Sequence, residues 1–304
     1  MLSRIVPAFL VRWFAGPYVA GDCMEDALAI ADAGLRNGGQ LATLDLLGED
    51  VHQQSQVEEN IRVYEGIIDA LSSDPRFADA TRRPTISIKP SAFTTGPFEN
   101  VRAPIESLVE RAHERGVGLT IDMEDHRWTD FTLDLSIGHF ERGRDVGTVL
   151  QTRLNRTEQD LQRIPSGMRL RLVIGIYNEP AEIALTHKAP MKDRMVEFGR
   201  TLLERGAVVE FGTHDEACVE RFSREVATAA PERCEVQLLL GVPRTRMINS
   251  LASGEWGAKL PVRRYVPFAV GWDNATAYLR RRMDEVPSMA WLVLRNLFAS
   301  RADR

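Results

Sequence analysis

Charged side chains interrupt several short apolar runs of this 304-residue chain. Lys89 and Asp122 stand near the ends of two such runs, and Arg171 lies inside a third, between Leu170 and Leu172. Burying a charged side chain is unfavourable unless it is paired or binds a ligand. These residues therefore predict either ion pairs between neighbouring segments or a site for a polar ligand. For Lys89 and Asp122 the two interpretations are equally supported, and both can hold together.

The other apolar runs also end in residues that can contact a ligand. Glutamine, threonine, histidine and tyrosine side chains donate or accept hydrogen bonds, so each of them can fix a polar group. The candidates are Gln151, Gly175, Ile176, Tyr177, Thr213, His214, Gln237, Leu239 and Tyr265. Asp215 directly follows one of them and is better explained as the N-cap of a helix.

Asp122, Glu124, Asp125 and His126 form a cluster that could bind a metal ion. On an extended strand Asp122 and Glu124 would point to the same side, but the next two residues would already lie in a loop. No H-E-x-x-H motif and no second histidine cluster accompanies them. We therefore predict that the site holds no metal, and metal-assisted lyase chemistry is the weaker alternative.

Two arginines and a tyrosine share one face of the last predicted helix. Tyr278, Arg281 and Arg282 are three and four residues apart, which places them side by side on a helix. Guanidinium groups bind a carboxylate through paired hydrogen bonds. A solvated basic face is the alternative, but the position of this helix after the last predicted strand favours binding of a substrate carboxylate.

Short apolar, β-branched runs alternate with helical patterns along most of the chain. The predicted strands cover residues 41–44, 85–89, 118–123, 147–151, 170–175, 208–212, 236–239 and 262–266. Most are almost continuously apolar, which is typical of parallel strands covered by helices. A helical pattern follows each strand, so the alternation predicts an α/β protein with a closed (β/α)8 barrel of the TIM type.

A barrel of this type binds its ligand at the carboxyl ends of its strands, where the candidate residues lie. An open doubly wound sheet is the alternative, but neither a G-x-G-x-x-G nor a G-x-x-x-x-G-K-[ST] motif occurs. We predict an N-terminal helical extension over residues 1–40 and a catalytic barrel over residues 41–304. Its final helix, residues 275–285, is expected beside the barrel mouth.

The composition limits the kinds of partner. The chain is 44% hydrophobic and 27% charged, with a formal net charge of −5, which argues against a nucleic-acid partner. Three widely spaced cysteines fit neither a disulfide framework nor a zinc site. No run of about 18 apolar residues occurs. We therefore expect a cytoplasmic protein with at most peripheral contact with the inner face of the membrane.

A set of motifs in chain order resembles the monofunctional bacterial proline dehydrogenases. The motifs are Phe14-Ala15-Gly16, Thr43-Leu44-Asp45-Leu46-Leu47-Gly48-Glu49, Val149-Leu150-Gln151, Arg156-Thr157-Glu158-Gln159-Asp160-Leu161, Leu170-Arg171-Leu172-Val173, Gly212-Thr213-His214-Asp215, Gln237-Leu238-Leu239-Leu240-Gly241 and Tyr265-Val266-Pro267. No single motif is decisive, but the ordered set is specific. The resemblance implies FAD-dependent oxidation of L-proline, or of a proline-like cyclic or secondary amine, to an imine. Electrons would pass to a quinone or another acceptor.

The same resemblance implies a role for each candidate residue. It places FAD against Gln151, Arg171, Gly175, Tyr177, Thr213, His214 and Gln237, with Arg171 beside flavin N5. It places the substrate against Lys89, Asp122, Ile176, Leu239, Tyr265, Tyr278, Arg281 and Arg282. The catalytic residues are expected to be Lys89, Asp122, Arg171 and Tyr265. No cysteine or histidine stands in an obvious flavinylation context, so non-covalent binding is expected.

The chain departs from the family pattern beside the substrate. The family usually reads Lys-Gly-Ala-Tyr where this chain has Ile174-Gly175-Ile176-Tyr177, and Asn178 stands where the closest monofunctional enzymes have arginine. One positive charge is missing, and a bulkier side chain replaces the alanine that borders the substrate ring. A proline analogue, another cyclic or secondary amine, or a carrier-bound prolyl group therefore remains open as substrate. A non-catalytic ligand-binding barrel is a further alternative.

Overall fold

Eight parallel strands close into a barrel in the computed structural model, which describes residues 17–271 except Asp50 and Pro97. Each strand pairs with the next one along the chain, and the last pairs with the first. The strands are β1 (Leu41–Leu46), β2 (Thr85–Ile88), β3 (Leu119–Ile121), β4 (Val146–Gln151), β5 (Arg169–Val173), β6 (Val208–Gly212), β7 (Cys234–Leu239) and β8 (Val262–Phe268). The predicted (β/α)8 barrel is confirmed.

Helices cover the outside of the barrel. They are α1 (Met24–Gly38), α2 (Gln54–Ser73), α3 (Arg102–Glu114), α4 (Thr129–Glu141), α5 (Thr157–Asp160), α6 (Lys188–Glu204), α7 (Glu216–Glu225) and α8 (Thr245–Ser253). Short 3₁₀ helices comprise Pro75–Phe77, Pro90–Phe93, Phe98–Val101, His126–Trp128, Leu161–Arg163, Ala227–Ala229 and Pro231–Arg233. Helix α1 packs against β1 and β8 from outside, as expected for a helix preceding the first strand.

Alternation along each strand separates an apolar outer face from a polar inner face. In β5, Leu170 and Leu172 are fully buried in the apolar layer that also contains Met195 and Leu202 of α6. Successive side chains of a strand point to opposite faces. Arg171 therefore points into the barrel, where it is buried, as the alternation in the sequence predicts.

Strand β1 is longer than predicted. It continues past residue 44 to Leu46 and so includes Asp45, which lies in register with Ser87 of β2. An aspartate is unfavourable inside a buried strand unless its charge is compensated. Lys89 provides that compensation, because its Nζ lies 2.6 Å from Asp45 Oδ1.

Strand β3 is shorter than predicted, because it ends at Ile121. The expectation that Asp122 and Glu124 lie together on one face of this strand is therefore wrong. The Asp122 carboxylate turns into the barrel, where it accepts a hydrogen bond from Ser87 Oγ. The Glu124 carboxylate turns toward the loop after β2 and accepts hydrogen bonds from Ser91 N and Oγ.

The ends of the chain, residues 1–16 and 272–304, lie outside the described residues. The predicted final helix falls there, and with it Tyr278, Arg281 and Arg282, as does the start of the predicted N-terminal extension. Within the described residues no helix combines the length and the apolar character needed to cross a membrane.

Candidate active site

A cavity of about 330 Å³ opens at the carboxyl ends of the strands, a volume within the usual range of small-molecule sites. All of the predicted site residues that lie in the described part of the chain line it. They are Lys89, Asp122, Gln151, Arg171, Gly175, Ile176, Tyr177, Thr213, His214, Gln237, Leu239 and Tyr265. Barrels place ligand sites at this end because the loops there come from every strand.

Lys89 and Asp122 are not each other's principal partner. Lys89 Nζ lies 2.6 Å from Asp45 Oδ1, 3.3 Å from the Tyr265 hydroxyl and 3.7 Å from Asp122 Oδ2. The interpretation as an ion pair between these two residues alone is therefore incomplete, because Asp45 binds Lys89 more closely. Asp45 also lines the cavity and is a site residue that the sequence prediction missed.

Asp122 organises the centre of this cluster. One carboxylate oxygen binds Arg171 Nη1 at 2.6 Å and Ser87 Oγ at 2.7 Å, and the other accepts from the Tyr265 hydroxyl at 2.7 Å. Burial opposes ionisation of Asp122, but Arg171 and Lys89 outweigh it and lower its pKa below the ordinary value. Asp122 is thus a carboxylate that fixes Arg171 and Tyr265 in place.

The remaining groups of the cluster have shifted protonation equilibria. Burial raises the pKa of Asp45 to about 7, although Lys89 opposes the shift. Burial and then the charge of Asp122 raise the pKa of Tyr265 well above its ordinary value. The phenol therefore stays protonated and donates to Asp122.

Gln151 presents an unpaired acceptor beside the cavity. Its Nε2 donates to the backbone oxygen of Glu124 at 2.8 Å, whereas its buried Oε1 has no hydrogen-bond partner. The backbone of Gly175 lies close to this side chain. Its φ is 96°, a value that glycine adopts readily. A Cβ at Gly175 would lie 2.4 Å from Gln151 Oε1. Glycine is therefore required here by conformation and by space.

His214 presents a donor. Its Nε2 accepts the backbone N–H of Leu239 at 3.1 Å, so the proton of a neutral ring must reside on Nδ1. Burial and then Arg244 lower the pKa of His214 to about 4, which keeps the ring neutral. Nδ1 is buried and has no partner. Asp215, next to it, caps α7 by accepting from Cys218 N at 2.9 Å, as predicted.

Gln237 and Arg171 complete a set of unpaired polar groups. Gln237 Nε2 donates to Glu210 Oε2 at 2.8 Å and to Glu235 Oε1 at 2.7 Å, while its buried Oε1 has no partner. Arg171 Nε is likewise buried without a hydrogen-bond partner. Buried polar atoms are seldom left unpaired. Two acceptors and two donors on residues that line one cavity are therefore available to a polar ligand.

This donor and acceptor set fits a flavin. The isoalloxazine ring carries carbonyl oxygens and ring nitrogens that accept, together with an N–H that donates, so it needs both kinds of partner. Arg171 Nε and His214 Nδ1 can donate, and the free oxygens of Gln151 and Gln237 can accept. The ring is otherwise apolar, and Val149, Val173 and Leu238 also line the cavity.

The acidic cluster after β3 does not converge on a point where a metal could bind. Glu124 binds Ser91, and Asp125 accepts from Arg127 N at 3.0 Å. His126 Nδ1 lies 2.6 Å from Glu179 Oε2. Among the described residues, the side chains with metal-ligand spacing are instead Asp22, Cys23 and Asp26 at the start of α1, where Cys23 is half-buried and the two aspartates are exposed.

A (β/α)8 barrel with a polar ligand cavity at the carboxyl ends of its strands is typical of an enzyme. Sequence comparison identifies the family of enzymes. The chain matches the proline dehydrogenase family over residues 31–290 and belongs to this family. Proline dehydrogenase of Deinococcus radiodurans is 30% identical over 92% of this chain and 88% of its own length. Proline dehydrogenase 1 of Bacillus subtilis strain 168 is 26% identical over 97% and 94% of the two chains.

Solved structures agree on the fold. Proline utilization A from Bdellovibrio bacteriovorus, inactivated by N-propargylglycine, superposes with a TM-score of 0.75 at 19% identity. A mutant of the Bradyrhizobium japonicum protein of the same name gives 0.71 at 20% identity. The comparisons cover 94% and 89% of this chain but only 34% and 31% of those longer chains. At this identity the similarity concerns the barrel alone.

Family membership confirms the predicted enzyme class. The protein is an oxidoreductase of the proline dehydrogenase type, a flavin-dependent class that acts on a small-molecule substrate and passes electrons to an acceptor.

The sequence prediction missed three interior carboxylates that contact the site residues: Asp45, Glu210 and Glu235. A signal for Glu210 was present, because Val209 and Phe211 flank it as Leu170 and Leu172 flank Arg171.

Proposed function

We propose that the protein oxidises L-proline, or a proline-like cyclic or secondary amine, to the corresponding imine at the mouth of its barrel. The proposed cofactor is FAD, bound non-covalently in the cavity. The observation that carries this proposal is the set of four buried and unpaired polar groups on Gln151, Arg171, His214 and Gln237. Membership in the proline dehydrogenase family supports it independently.

The cofactor would be held both by hydrogen-bond donors and by hydrogen-bond acceptors of the protein. Arg171 Nε and His214 Nδ1 would donate to it, and Gln151 and Gln237 would accept from it. The proposed contacts of Thr213, Gly175 and Tyr177 rest on their positions around the same cavity. A bound flavin would supply the acceptor for the hydride removed from the substrate.

The side chains on the opposite wall would handle the substrate and its proton. Asp122 holds Arg171 and Tyr265 in fixed orientations, so little reorganisation is needed when a substrate binds. An amine must lose its ammonium proton before its carbon can give up a hydride. Lys89 Nζ and Asp45 Oδ1 form a buried pair that lines the cavity. Burial raises the pKa of Asp45 to about 7, and Asp45 would accept that proton.

The substrate carboxylate is proposed to bind Arg281 and Arg282 beside Tyr278. These residues lie outside the described part of the chain, and the proposal rests on their spacing and on the family resemblance. Leu239 and Ile176 line the cavity and would border the substrate ring.

Ile176 bears on the choice of substrate. Its side chain lines the cavity yet remains 50% exposed, so the protein itself accommodates the isoleucine without crowding. A ligand that reached the same wall would meet its additional carbons. We therefore propose that the preferred substrate differs from free L-proline in shape, as a proline derivative or another cyclic or secondary amine.

The proposed electron acceptor is a quinone or another diffusible oxidant. The proposed setting is the cytoplasm or the inner face of the membrane, to which the protein would attach only peripherally. A reduced-quinone assay with added membranes would test this part separately from the amine chemistry.

The absorption spectrum of the purified protein tests the cofactor proposal. We expect flavin bands, and we expect FAD in the supernatant after heat denaturation because no covalent link is proposed. Flavin retained on the precipitated chain would show that the attachment is covalent. A folded, colourless protein that requires a divalent metal for activity would favour the metal-assisted alternative, and a flavin that no amine reduces would favour a binding protein.

A further inference from the structure

Gln237 stands directly above two buried carboxylates inside the barrel. Glu210 belongs to β6 and Glu235 to β7, and both are buried. Gln237 Nε2 lies 2.8 Å from Glu210 Oε2 and 2.7 Å from Glu235 Oε1. The two hydrogens of one amide nitrogen are thus shared between two carboxylates, and the amide oxygen is left without a partner.

This arrangement fixes which end of the amide faces the cavity. If the amide were flipped, its oxygen would face two carboxylate oxygens, and no hydrogen would lie between them. A glutamine in solvent has no such preference, since its two ends exchange freely by rotation. The carboxylates therefore allow only one orientation of Gln237.

Each carboxylate is paired with an arginine. Arg169 Nη1 lies 2.9 Å from Glu210 Oε1, and Arg263 Nε lies 2.7 Å from Glu235 Oε1. Burial opposes ionisation of Glu235, but Arg263 outweighs it and lowers the pKa of this residue. A protonated carboxyl could donate to a flipped amide, so Arg263 removes this route to the other orientation at Glu235.

We infer that Glu210 and Glu235 are positioning residues, which act through Gln237 to present its amide oxygen to the cofactor as a fixed hydrogen-bond acceptor. The inference rests on the proposed flavin site. It selects a ligand that offers an N–H or O–H donor at this wall of the cavity, and it assigns a function to charges in the barrel interior that otherwise have only a structural explanation.

The two carboxylates are not equivalent as targets. Glu210 Oε2 also lies 3.9 Å from Arg171 Nε, so its replacement would disturb a second cavity residue. Glu235 contacts Gln237 and Arg263 and is therefore the cleaner site. Glu235→Gln keeps the shape of the side chain but removes its charge. Only Glu210 then selects the orientation of Gln237, so the preference for one orientation is weakened.

The experiment measures how fast flavin leaves the purified holoprotein on dilution, followed by the rise of FAD fluorescence. Loss of one well-oriented hydrogen bond corresponds to roughly three- to tenfold weaker retention. We expect Glu235→Gln to release flavin faster by about this factor. Glu232→Gln is the matched control, because Glu232 is exposed and lies three residues earlier.

A double-mutant cycle separates positioning from a structural role. In a Gln237→Met background no amide remains to be oriented, so Glu235→Gln should have no further effect on flavin release. An equal loss of retention in both backgrounds would overturn the inference, and so would unchanged retention in the single variant. If Glu235→Gln does not fold, Glu210→Gln is compared in the same two backgrounds. Its effect through Arg171 is common to both, so a larger loss of retention with Gln237 present supports the inference, and no difference between the backgrounds overturns it. A wild-type protein that holds no flavin would instead contradict the proposed function.

Discussion

At the scale of single residues, the site depends on side chains whose orientation is fixed by hydrogen bonds to other groups of the protein. His214 accepts from a backbone N–H on one nitrogen, Gln151 donates to a backbone oxygen, and Asp122 holds Arg171. In each case the residue lines the cavity, and the polar atom that these contacts do not use is available to a ligand. The hydrogen bonds that orient each side chain therefore decide which donor or acceptor it presents to the ligand.

Ile176→Ala tests the proposed substrate wall. Because Ile176 lines the cavity and is half exposed, its truncation should enlarge the site with little loss of stability. We expect kcat/KM for free L-proline to rise, by roughly tenfold if about 1–2 kcal/mol of crowding is relieved. Steady-state kinetics of both proteins measure this.

Ile174→Ala is the control for this experiment, since it removes the same carbons two residues earlier from a side chain that packs against the core instead. If the unmodified protein already oxidises L-proline efficiently and Ile176→Ala makes it worse, Ile176 belongs to a pocket adapted to proline.

Gly175→Ala tests the contact between backbone and Gln151. The substitution adds left-handed strain of about 1 kcal/mol and a methyl group 2.4 Å from Gln151 Oε1. We expect lower stability and a marked loss of bound flavin, measured as the ratio of flavin to protein absorbance. Gly143→Ala has a similar φ of 80° but no atom within 4 Å of the added carbon, so it should lose stability and keep its flavin. Equal flavin contents would contradict the assignment.

At the scale of elements, the loop after β5 is tied to the loop after β3. Glu179, whose side chain is 1% exposed, accepts the backbone N–H of His126 at 2.9 Å and lies 2.6 Å from its Nδ1. Ile176 and Tyr177 line the cavity only three and two residues before Glu179. This contact therefore positions one wall of the site.

Glu179→Gln should loosen that wall. Hydrogen bonds to a charged carboxylate are stronger than those to an amide, so we expect KM for the substrate to rise roughly three- to tenfold. Glu182→Gln is the control, because Glu182 is exposed in the same loop. Faster proteolytic cleavage between β5 and α6 would accompany the effect, and equal KM values for the two variants would exclude the proposed role.

Sequence patterns predicted the order of the elements because each strand is marked by β-branched, apolar residues and each helix by its own period. They also predicted which strand ends carry the site. They could not predict contacts between distant segments. Asp45 was placed beyond the end of β1, since an aspartate usually ends an apolar run, and only Lys89, 44 residues later, makes it favourable there. The Glu179–His126 contact spans 53 residues and has no local signal.

At the scale of the whole molecule, the barrel interior is unusually polar. Interiors of such barrels are generally filled by branched apolar side chains. Here four carboxylates are paired with four cations: Asp45 with Lys89, Asp122 with Arg171, Glu210 with Arg169 and Glu235 with Arg263. Pairing compensates much of the desolvation of each charge. The ion pairs of the barrel interior therefore hold the residues that line the cavity.

Folding stability should depend on the protonation of His214. Its pKa in the folded protein is about 4, against an ordinary value near 6.5. Above pH 6.5 the ring is neutral in both states, and its contribution to stability is complete. As the pH falls from about 6.5 toward 4, the unfolded chain binds a proton that the folded protein does not, so stability is lost, by on the order of 2–3 kcal/mol.

Urea unfolding at a series of pH values measures this loss. The His214→Gln variant should show a smaller decline between pH 6.5 and 4 than the unmodified protein, because glutamine does not titrate. His113→Gln, which replaces an exposed histidine, should follow the unmodified protein. Identical slopes for all three proteins would contradict the buried, neutral state of His214.

Anaerobic reduction of the bound flavin tests the central claim most directly. The purified holoprotein is mixed, without oxygen, with L-proline, hydroxyproline, pipecolate and their esters or amides, and the flavin absorption bands are followed. Cyclic secondary amines should bleach these bands, whereas primary amines of similar size should not, and the fastest of the active compounds identifies the substrate. If the protein contains flavin that dithionite bleaches but none of these amines does, it is not an amine-oxidising member of its family.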